Sequence, residues 1–502
     1  MEGTNMKKII ALLMALMMLG AVPALAEETH SWMPAWDRDA DVVVVGFGPA
    51  GAMAARAAYE NGASTLIVEK ASKDYAGGSA PTSMGFIKPY SAEEIYDSAQ
   101  GRLTMEEAQR LYDTENEQLD WMIENGLKIT NSTSEGYGRG FYDVVVNAIE
   151  GLGIEVLYET PAVKLIADPF TNEVYGIQCK QADGSDLYIR ANKGVVLATG
   201  GYAANKDLMT RFHFADMIDY ALAGAATQTG DGLLMAAEIG AGLDGVSNQQ
   251  IEWYGYSYKA ATDEMGTAIL HMGPDLGPDS RIFVNTKGDH FMDEEMYIVH
   301  SKCEMPFLAY DGTFPVYNGY FNLPMYVIFD QAMLDAGPVG PRDYWCGFAS
   351  MYDVYNWSED NQAEVERGWI VKADTIDELV EKLAEQSGNA PIDAENLKKT
   401  IAAYNEGCAN GEDAFGRSEF YLDPIGEGPY YAAQILPTIV YTIGGLQGGP
   451  NGETLDWQGN PIPRLYHAGD IGQPTKILIQ ALQGALATGR IAGEACSQLE
   501  SH

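Results

Sequence analysis

The sequence is short of basic residues. Lysine and arginine number 31 against 71 aspartates and glutamates, a formal charge of −40 over 502 residues. So acidic a chain offers no basic face, which argues against nucleic acid or an anionic membrane surface as a general partner. Cysteine is scarce as well. Cys179, Cys303, Cys346, Cys408 and Cys496 are scattered, with no C-x-x-C and no C-x-x-C-H. That spacing argues against a disulfide framework, a zinc site and an attached c-type haem, and leaves room for one bridge at most in an exported protein. Internal repeats and low-complexity tracts are missing. So are long apolar runs: no segment after the first 26 residues is apolar for long enough to cross a bilayer. What is present is globular, with 46% hydrophobic and 20% charged residues, enough chain for one large domain or two to three ordinary ones.

The first 26 residues read as a secretory signal peptide. Lys7 and Lys8 form a basic start, Ile9 to Val22 is apolar, and Ala24-Leu25-Ala26 is a small-residue cleavage site before Glu27-Glu28. The apolar stretch is short of the ~20 residues of a membrane span, so cleavage and export are expected rather than anchoring. Glu2, Lys7 and Lys8 together carry +1, so their removal takes the charge from −40 to −41.

After a polar lead-in, Asp41-Val42-Val43-Val44-Val45 reads as a strand buried on both faces of a parallel sheet. Gly46-Phe47-Gly48-Pro49-Ala50-Gly51 follows, then an Ala-rich helix over Ala52 to Asn61 stopped by Gly62. Ser64 to Val68 is a second strand, ending at Glu69. This is a βαβ unit. Lys193 to Gly201 reads as another buried strand, and Thr229-Gly230-Asp231-Gly232 opens a helix. From about Val246 to Thr442 aromatics and prolines crowd in, with a helix over Thr375 to Ala384 behind an Asp374 N-cap. Arg464 to Asp470 reads as a strand into a loop, and Gln480 to Leu499 as a terminal helix. The expected fold is α/β: a nucleotide-binding domain on a parallel sheet, residues 37–246 plus 442–502, interrupted by an α+β cap, residues 247–441.

The chemistry lies in G-x-G-x-x-G at Gly46, Gly48 and Gly51. The first glycine permits the tight turn, the second lets backbone approach a pyrophosphate, and the third lets helix pack on strand. The pyrophosphate then meets the free N–H groups and positive end of a helix. Glu69, 23 residues after Gly46, stands where a carboxylate can accept ribose hydroxyls. Three further segments favour FAD over NAD. They are the small-residue loop Gly77-Gly78-Ser79-Ala80-Pro81-Thr82-Ser83, the turn Ala198-Thr199-Gly200-Gly201, and Ala468-Gly469-Asp470 near the C-terminus. A ligand as extended as FAD needs segments from both ends of the chain.

These motifs, with Phe283-Val284-Asn285, Phe415-Gly416-Arg417, Gly428-Pro429-Tyr430-Tyr431-Ala432, Thr442-Ile443-Gly444-Gly445-Leu446 and Gly489-Arg490-Ile491-Ala492-Gly493, resemble a known superfamily. It is the FAD-dependent fumarate reductase/succinate dehydrogenase flavoproteins, which include flavocytochrome c reductases and 3-ketosteroid dehydrogenases. The resemblance runs from about Asp41 to Glu494 in the family's order. It implies a Rossmann-like FAD-binding domain with a mobile cap and a substrate held between them. It implies non-covalent FAD, with Glu69 on the adenosine ribose and Asp231 and Asp470 on the cofactor. Further contacts are implied at Pro49, Ala50, Lys70, Gly78, Ser79, Val163, Thr199 and Gly200. Gln480 to Leu482 would point a helix N-terminus at the flavin, where the dipole favours the negative charge of the reduced ring.

The chain departs from that pattern where fumarate reductases grip carboxylates. Their H-P-T triplet is missing from Asn248 to Gly255. Their proton-donating arginine has no counterpart in register, since Arg281 stands too close to the Val284-Asn285 strand. The histidine before T-x-G-G is replaced by Tyr441, and an arginine near the last glycine pair by Lys476. A small dicarboxylate substrate is therefore not expected. Steroid dehydrogenases of the superfamily carry tyrosine at this place. Tyr441, with Gly445 and Lys476 beside it, is the candidate catalytic group, set against the alternative of a core tyrosine with a satisfied hydroxyl.

Aromatics cluster at Trp253, Tyr254, Tyr256 and Tyr258, at Phe314, Tyr317, Tyr320 and Phe321, and from Trp345 to Trp357. They suit a flat apolar substrate or simply the core of the cap. His271, His290 and His300 lack metal spacing, and Asp293-Glu294-Glu295 reads as a solvated face. The sequence thus points to an exported FAD-dependent oxidoreductase of CH–CH bonds, foremost a reductase of an activated C=C. The alternatives are a 3-ketosteroid-dehydrogenase-like enzyme and a non-catalytic FAD- or ligand-binding surface protein. The expected partners are a small-molecule substrate and a separate electron-donor protein or membrane-linked redox carrier.

Overall fold

The computed structural model describes residues 32–88, 90–212, 219–246, 251–265, 279–294, 322–340, 355–442, 444–472 and 481–502. The expected signal at 1–26 lies outside them. Met1–Trp36 is a unit of its own, and the architecture below is that of Asp37–His502.

The apolar run before the glycine turn forms the strand Arg38–Val45, whose Val42, Val43 and Val44 are fully buried. It lies in the middle of an eight-stranded sheet. Thr65–Val68 and then Glu155–Leu157 pair parallel on one side. Asp186–Leu197 and then Pro461–His467 pair parallel on the other. Antiparallel strands Glu453–Leu455, Val174–Lys180 and Ala162–Ala167 complete it. Both termini of the domain therefore meet in one sheet, as the sequence pattern predicts.

The helix Pro49–Glu60 is buried from Pro49 to Ala58 because a second helix, Ala481–Ser497, lies along it. The approach is backbone-close. A Cβ at Gly489 would stand 2.1 Å from the Ala50 carbonyl oxygen, and one at Gly493 2.1 Å from that of Ala54. Two glycines four residues apart thus cut a groove that admits the other helix.

A six-stranded sheet carries the cap. Its long strand Tyr430–Thr442 pairs antiparallel with Ile251–Tyr258, Met325–Asp330 and Val371–Ala373, and Arg281–Val284 pairs with Met325–Asp330. Ala221–Leu222 also joins it, ahead of the boundary expected at 247. The helix expected behind Asp374 spans Ile376–Ser387, and its N-cap is Thr375, whose hydroxyl accepts the Glu378 amide. Asp374 stands one residue too early to cap, and its own amide donates to Glu378.

The cap core corrects one expectation. Glu294 is not on a solvated face. It is fully buried, accepts the Phe283 amide, and pairs with His290 at 3.0 Å and Arg417 at 3.5 Å. Burial works against charge on His290, but Glu294 outweighs it and raises the imidazole pKa. Arg281 is also fully buried, held by the Asp279 carboxylate at 2.7 and 2.8 Å. A buried charge needs such partners. Of the clustered aromatics, Tyr256, Tyr258 and Trp357 are core too and Tyr355 is partly buried against them, while the side chains of Trp253 and Tyr254 lie outside the described residues. Tyr258 stacks on Trp357 with its hydroxyl on the Val339 carbonyl, and Tyr256 packs edge-on against Phe283. Phe314, Tyr317, Tyr320, Phe321, Trp345, Phe348, Tyr352, His271 and His300 lie outside the described residues. Cys179, Cys408 and Cys496 are free thiols.

Candidate active site

One cleft runs along the C-terminal ends of the parallel strands and up to the end of the Tyr430–Thr442 strand. It gathers most of the expected residues. Gly46, Gly48, Pro49, Ala50, Glu69, Lys70, Gly78, Ser79, Thr199, Gly200, Asp231, Tyr441, Asp470 and Leu482 all line it. The open ends of parallel strands are where α/β folds place ligands.

The glycine turn divides its labour. Gly46 has φ +102°, and a Cβ there would stand 2.4 Å from the Ala198 carbonyl oxygen. Gly51 faces away from the cleft, where a Cβ would stand 2.0 Å from the Gly46 carbonyl oxygen. Gly48 faces the cleft, and a Cβ there would meet no atom closer than the Gly77 carbonyl oxygen at 3.5 Å. Glu69 is buried, and its carboxylate accepts the Phe47 amide at 2.8 Å and the Ala71 amide at 2.8 Å. Lys70 reaches across to the helix Asp231–Glu238, donating to Asp231 at 2.7 Å and Thr229 at 2.5 Å. Burial pushes the Asp470 carboxyl up to about 7, so it retains proton-donor character near neutrality.

Two expectations are corrected. The Val163 side chain is 43% exposed and does not line the cleft, whereas its neighbour Ala162 does. Successive strand side chains point to opposite faces, and the Ala162–Ala167 strand turns Ala162 inward. Gly445 does not line the cleft either. A Cβ there would stand 2.1 Å from the Ile471 carbonyl oxygen, so this glycine lets two backbone segments pass. Lys476 and Gln480 lie outside the described residues. The structure adds Gln228, Thr227 and Val440 to the wall. Gln228 is buried, and its Nε2 donates to the Val440 carbonyl at 2.9 Å, a contact across 212 residues that no local pattern announces.

The cleft fits a cofactor with polar groups along its length. The Gln228 Oε1 and Thr199 Oγ1 atoms are buried on its wall without a hydrogen-bond partner among the described residues. Buried acceptors of this kind are costly unless a ligand satisfies them. The space in front of Gly48 and Gly78 is open to backbone-close contact.

A family model described as an FAD binding domain matches residues 126–473, more than half of the chain. The chain belongs to this family. A second model, described as an FAD dependent oxidoreductase, matches residues 41–200, the part that carries the glycine turn. The protein is an FAD-dependent oxidoreductase of the flavoprotein superfamily that its motifs resemble.

Among its relatives is a vinyl phenol reductase from Lactiplantibacillus plantarum, 26% identical over 86% of this chain and 89% of that one. An NADH:acrylate oxidoreductase from Vibrio harveyi is 28% identical over 76% of this chain but only 36% of its own length. A 3-oxosteroid 1-dehydrogenase from Mycobacterium tuberculosis is 28% identical over 69% of this chain and 60% of its own. The fold matches a flavocytochrome c3 fumarate reductase in its open conformation (TM-score 0.64, 24% identity, 94% of this chain, 82% of that one). It also matches a 3-ketosteroid Δ1-dehydrogenase from Sterolibacterium denitrificans (TM-score 0.67, 18% identity, 92% and 99%).

Proposed function

We propose that the protein reduces an activated C=C bond in a small organic molecule. The observation that carries this reading is the place of Tyr441, a buried phenol on the wall of the cleft built by the glycine turn. Among the described lining residues the one cation is Lys70, which Asp231 and Thr229 already hold. That wall suits a neutral or singly charged substrate better than a dicarboxylate. The vinyl phenol and acrylate relatives support the same class.

Reduction of an activated double bond adds a hydride to one carbon and a proton to the next. FAD, when bound, supplies hydride chemistry at its N5. The glycine turn and the N-terminus of the Pro49–Glu60 helix would hold its pyrophosphate, Glu69 its ribose and Asp470 its ribityl hydroxyls. Tyr441 holds the proton at its hydroxyl and delivers it to the carbon beside the one that gains hydride. Binding is non-covalent in this reading. The protein is exported, and a separate carrier protein or membrane-linked carrier delivers the electrons.

The test is anaerobic reoxidation of reduced viologen by the purified, FAD-loaded protein, with enoates, enones and aromatic acrylates as acceptors. One class should turn over rapidly, and Tyr441→Phe should slow it by about 10²–10⁴-fold while FAD stays bound. The 3-oxosteroid relatives favour a second reading, dehydrogenation of a ketosteroid-like substrate. Oxidation of a steroid ketone with an artificial acceptor, and no reduction of any enoate, would establish that instead. No turnover in either direction would leave an FAD-binding protein without catalysis.

A further inference from the structure

Phe47, between the first two glycines of the turn, has its peptide groups gripped from two sides. Its amide donates to Glu69 Oε2 at 2.8 Å, and its carbonyl accepts the Tyr142 hydroxyl at 2.6 Å. Tyr142 comes from the helix Tyr137–Gly151, 95 residues away in sequence, and is almost fully buried. The Phe47 ring stands edge-on to the rings of both Tyr142 and Tyr158, at 6.0 and 6.1 Å. Tyr142 also touches the opposite wall of the cleft. A Cβ at Gly77 would stand 2.8 Å from Tyr142 Cε1, so the ring is packed against the loop that begins Gly77-Gly78-Ser79. The same side chain thus braces the glycine turn and the small-residue loop facing it.

We propose that Tyr142 is a positioning residue for the cofactor. Its hydroxyl fixes the Phe47 peptide, and its ring fixes Gly77, so that the two loops stand ready before FAD arrives. This rests on the FAD-binding reading and names a group outside the cleft on which affinity depends. Burial raises the Tyr142 phenol well above the usual range, so it remains a donor at any physiological pH. A preformed loop loses less conformational entropy on binding than a mobile one.

Tyr158 provides the control. Its ring meets Phe47 as Tyr142's does, but its buried hydroxyl has no hydrogen-bond partner among the described residues. FAD titration by flavin fluorescence, on wild type, Tyr142→Phe and Tyr158→Phe, separates the two roles. Tyr142→Phe should weaken FAD binding by about tenfold, the loss of one buried hydrogen bond, and Tyr158→Phe should change it by less than about twofold. A purely structural tyrosine would lower the melting temperature of FAD-free Tyr142→Phe and leave the dissociation constant alone. That result, or an equal loss in both variants, overturns the proposal. If Tyr142→Phe does not fold, the Tyr142 hydroxyl proton of FAD-free wild type decides. Held on the Phe47 carbonyl, it should exchange slowly enough to be seen by NMR, and a hydroxyl in fast exchange with water would overturn the brace. Failure of wild type to take up FAD would instead be a failure of the cofactor reading.

Discussion

Three glycines of one turn have different neighbours, and the differences can be measured. A methyl group on Gly48 clears the protein and projects toward the ligand, whereas one on Gly51 collides with the Gly46 carbonyl. Gly48→Ala should therefore fold like wild type, with the same melting temperature when FAD-free, and bind FAD at least about tenfold more weakly. Gly51→Ala should lose about 1–3 kcal/mol of stability even without FAD, because the helix must shift off the strand. Melting curves of the FAD-free variants and FAD titrations check both. If Gly51→Ala is stable and Gly48→Ala is not, the turn does not face the cofactor as described. Such roles were legible in the sequence, since each follows from spacing within one βαβ unit. Val163 and Ala162 show the limit of that legibility. The phase of a short strand decides which of two neighbours faces the cleft, and Ala162–Ala167 carries no strict alternation to reveal it.

Helices and strands were legible where their pattern was local and periodic. The valine-rich strand, the Ala-rich helix and the terminal helix all appear within a few residues of their expected bounds. What one element buries against another was not legible. The helix Met105–Glu124 presents Glu115 inward at 4% exposure, with its Oε1 unpartnered among the described residues. Nothing in an acidic, exposed-looking sequence marks that glutamate as different from Glu106 or Glu117. Burial pushes its carboxyl from 4.5 up to about 8. The sign follows. Between those values the unfolded chain releases a proton that the folded protein retains, so this group's contribution falls as pH rises from 4.5 through about 8. At about 1.36 kcal/mol per pKa unit the effect reaches several kcal/mol. Glu115→Gln keeps the shape and removes the titration. It should be nearly neutral at pH near 4.5 and increasingly stabilising toward pH 8, in urea melts across that range. Parallel pH profiles for variant and wild type would show that Glu115 is solvated. His467 acts in the opposite sense, since burial lowers it to about 4 and stability is lost as pH falls from 6.5 toward that value.

At the scale of the whole molecule, the cleft is assembled from distant segments. Gly46 to Ala50, Glu69 and Lys70, Gly77 to Ala80, Ala198 to Gly200, Thr227, Gln228 and Asp231, Tyr441, Ala468 to Asp470 and Leu482 share one wall. The sequence indicated this architecture because cofactor motifs occur at both ends of the chain. It could not supply the pairing of Gln228 with Val440 or of Tyr142 with Phe47, which the tertiary fold alone brings together. A ligand that touches so many segments opposes the opening of any of them. It binds the folded state and not the unfolded chain, in which the segments are far apart. FAD should therefore raise the melting temperature in a concentration-dependent way, by about 2.7 kcal/mol of added stability at 100 times its dissociation constant. Tryptophan fluorescence from the cap core around Trp357 and flavin release should report the same rise, because Tyr441 is the next-to-last residue of the long cap strand and also lines the cleft. Calorimetry with and without FAD, followed by both probes, makes the comparison. A flavin transition that shifts with FAD while the cap melts unchanged would mean that the strand Tyr430–Thr442 does not couple the cap to the cofactor. Tyr441 would then be held in place by the cap alone, and its reach to a bound substrate would have to be tested separately from FAD binding.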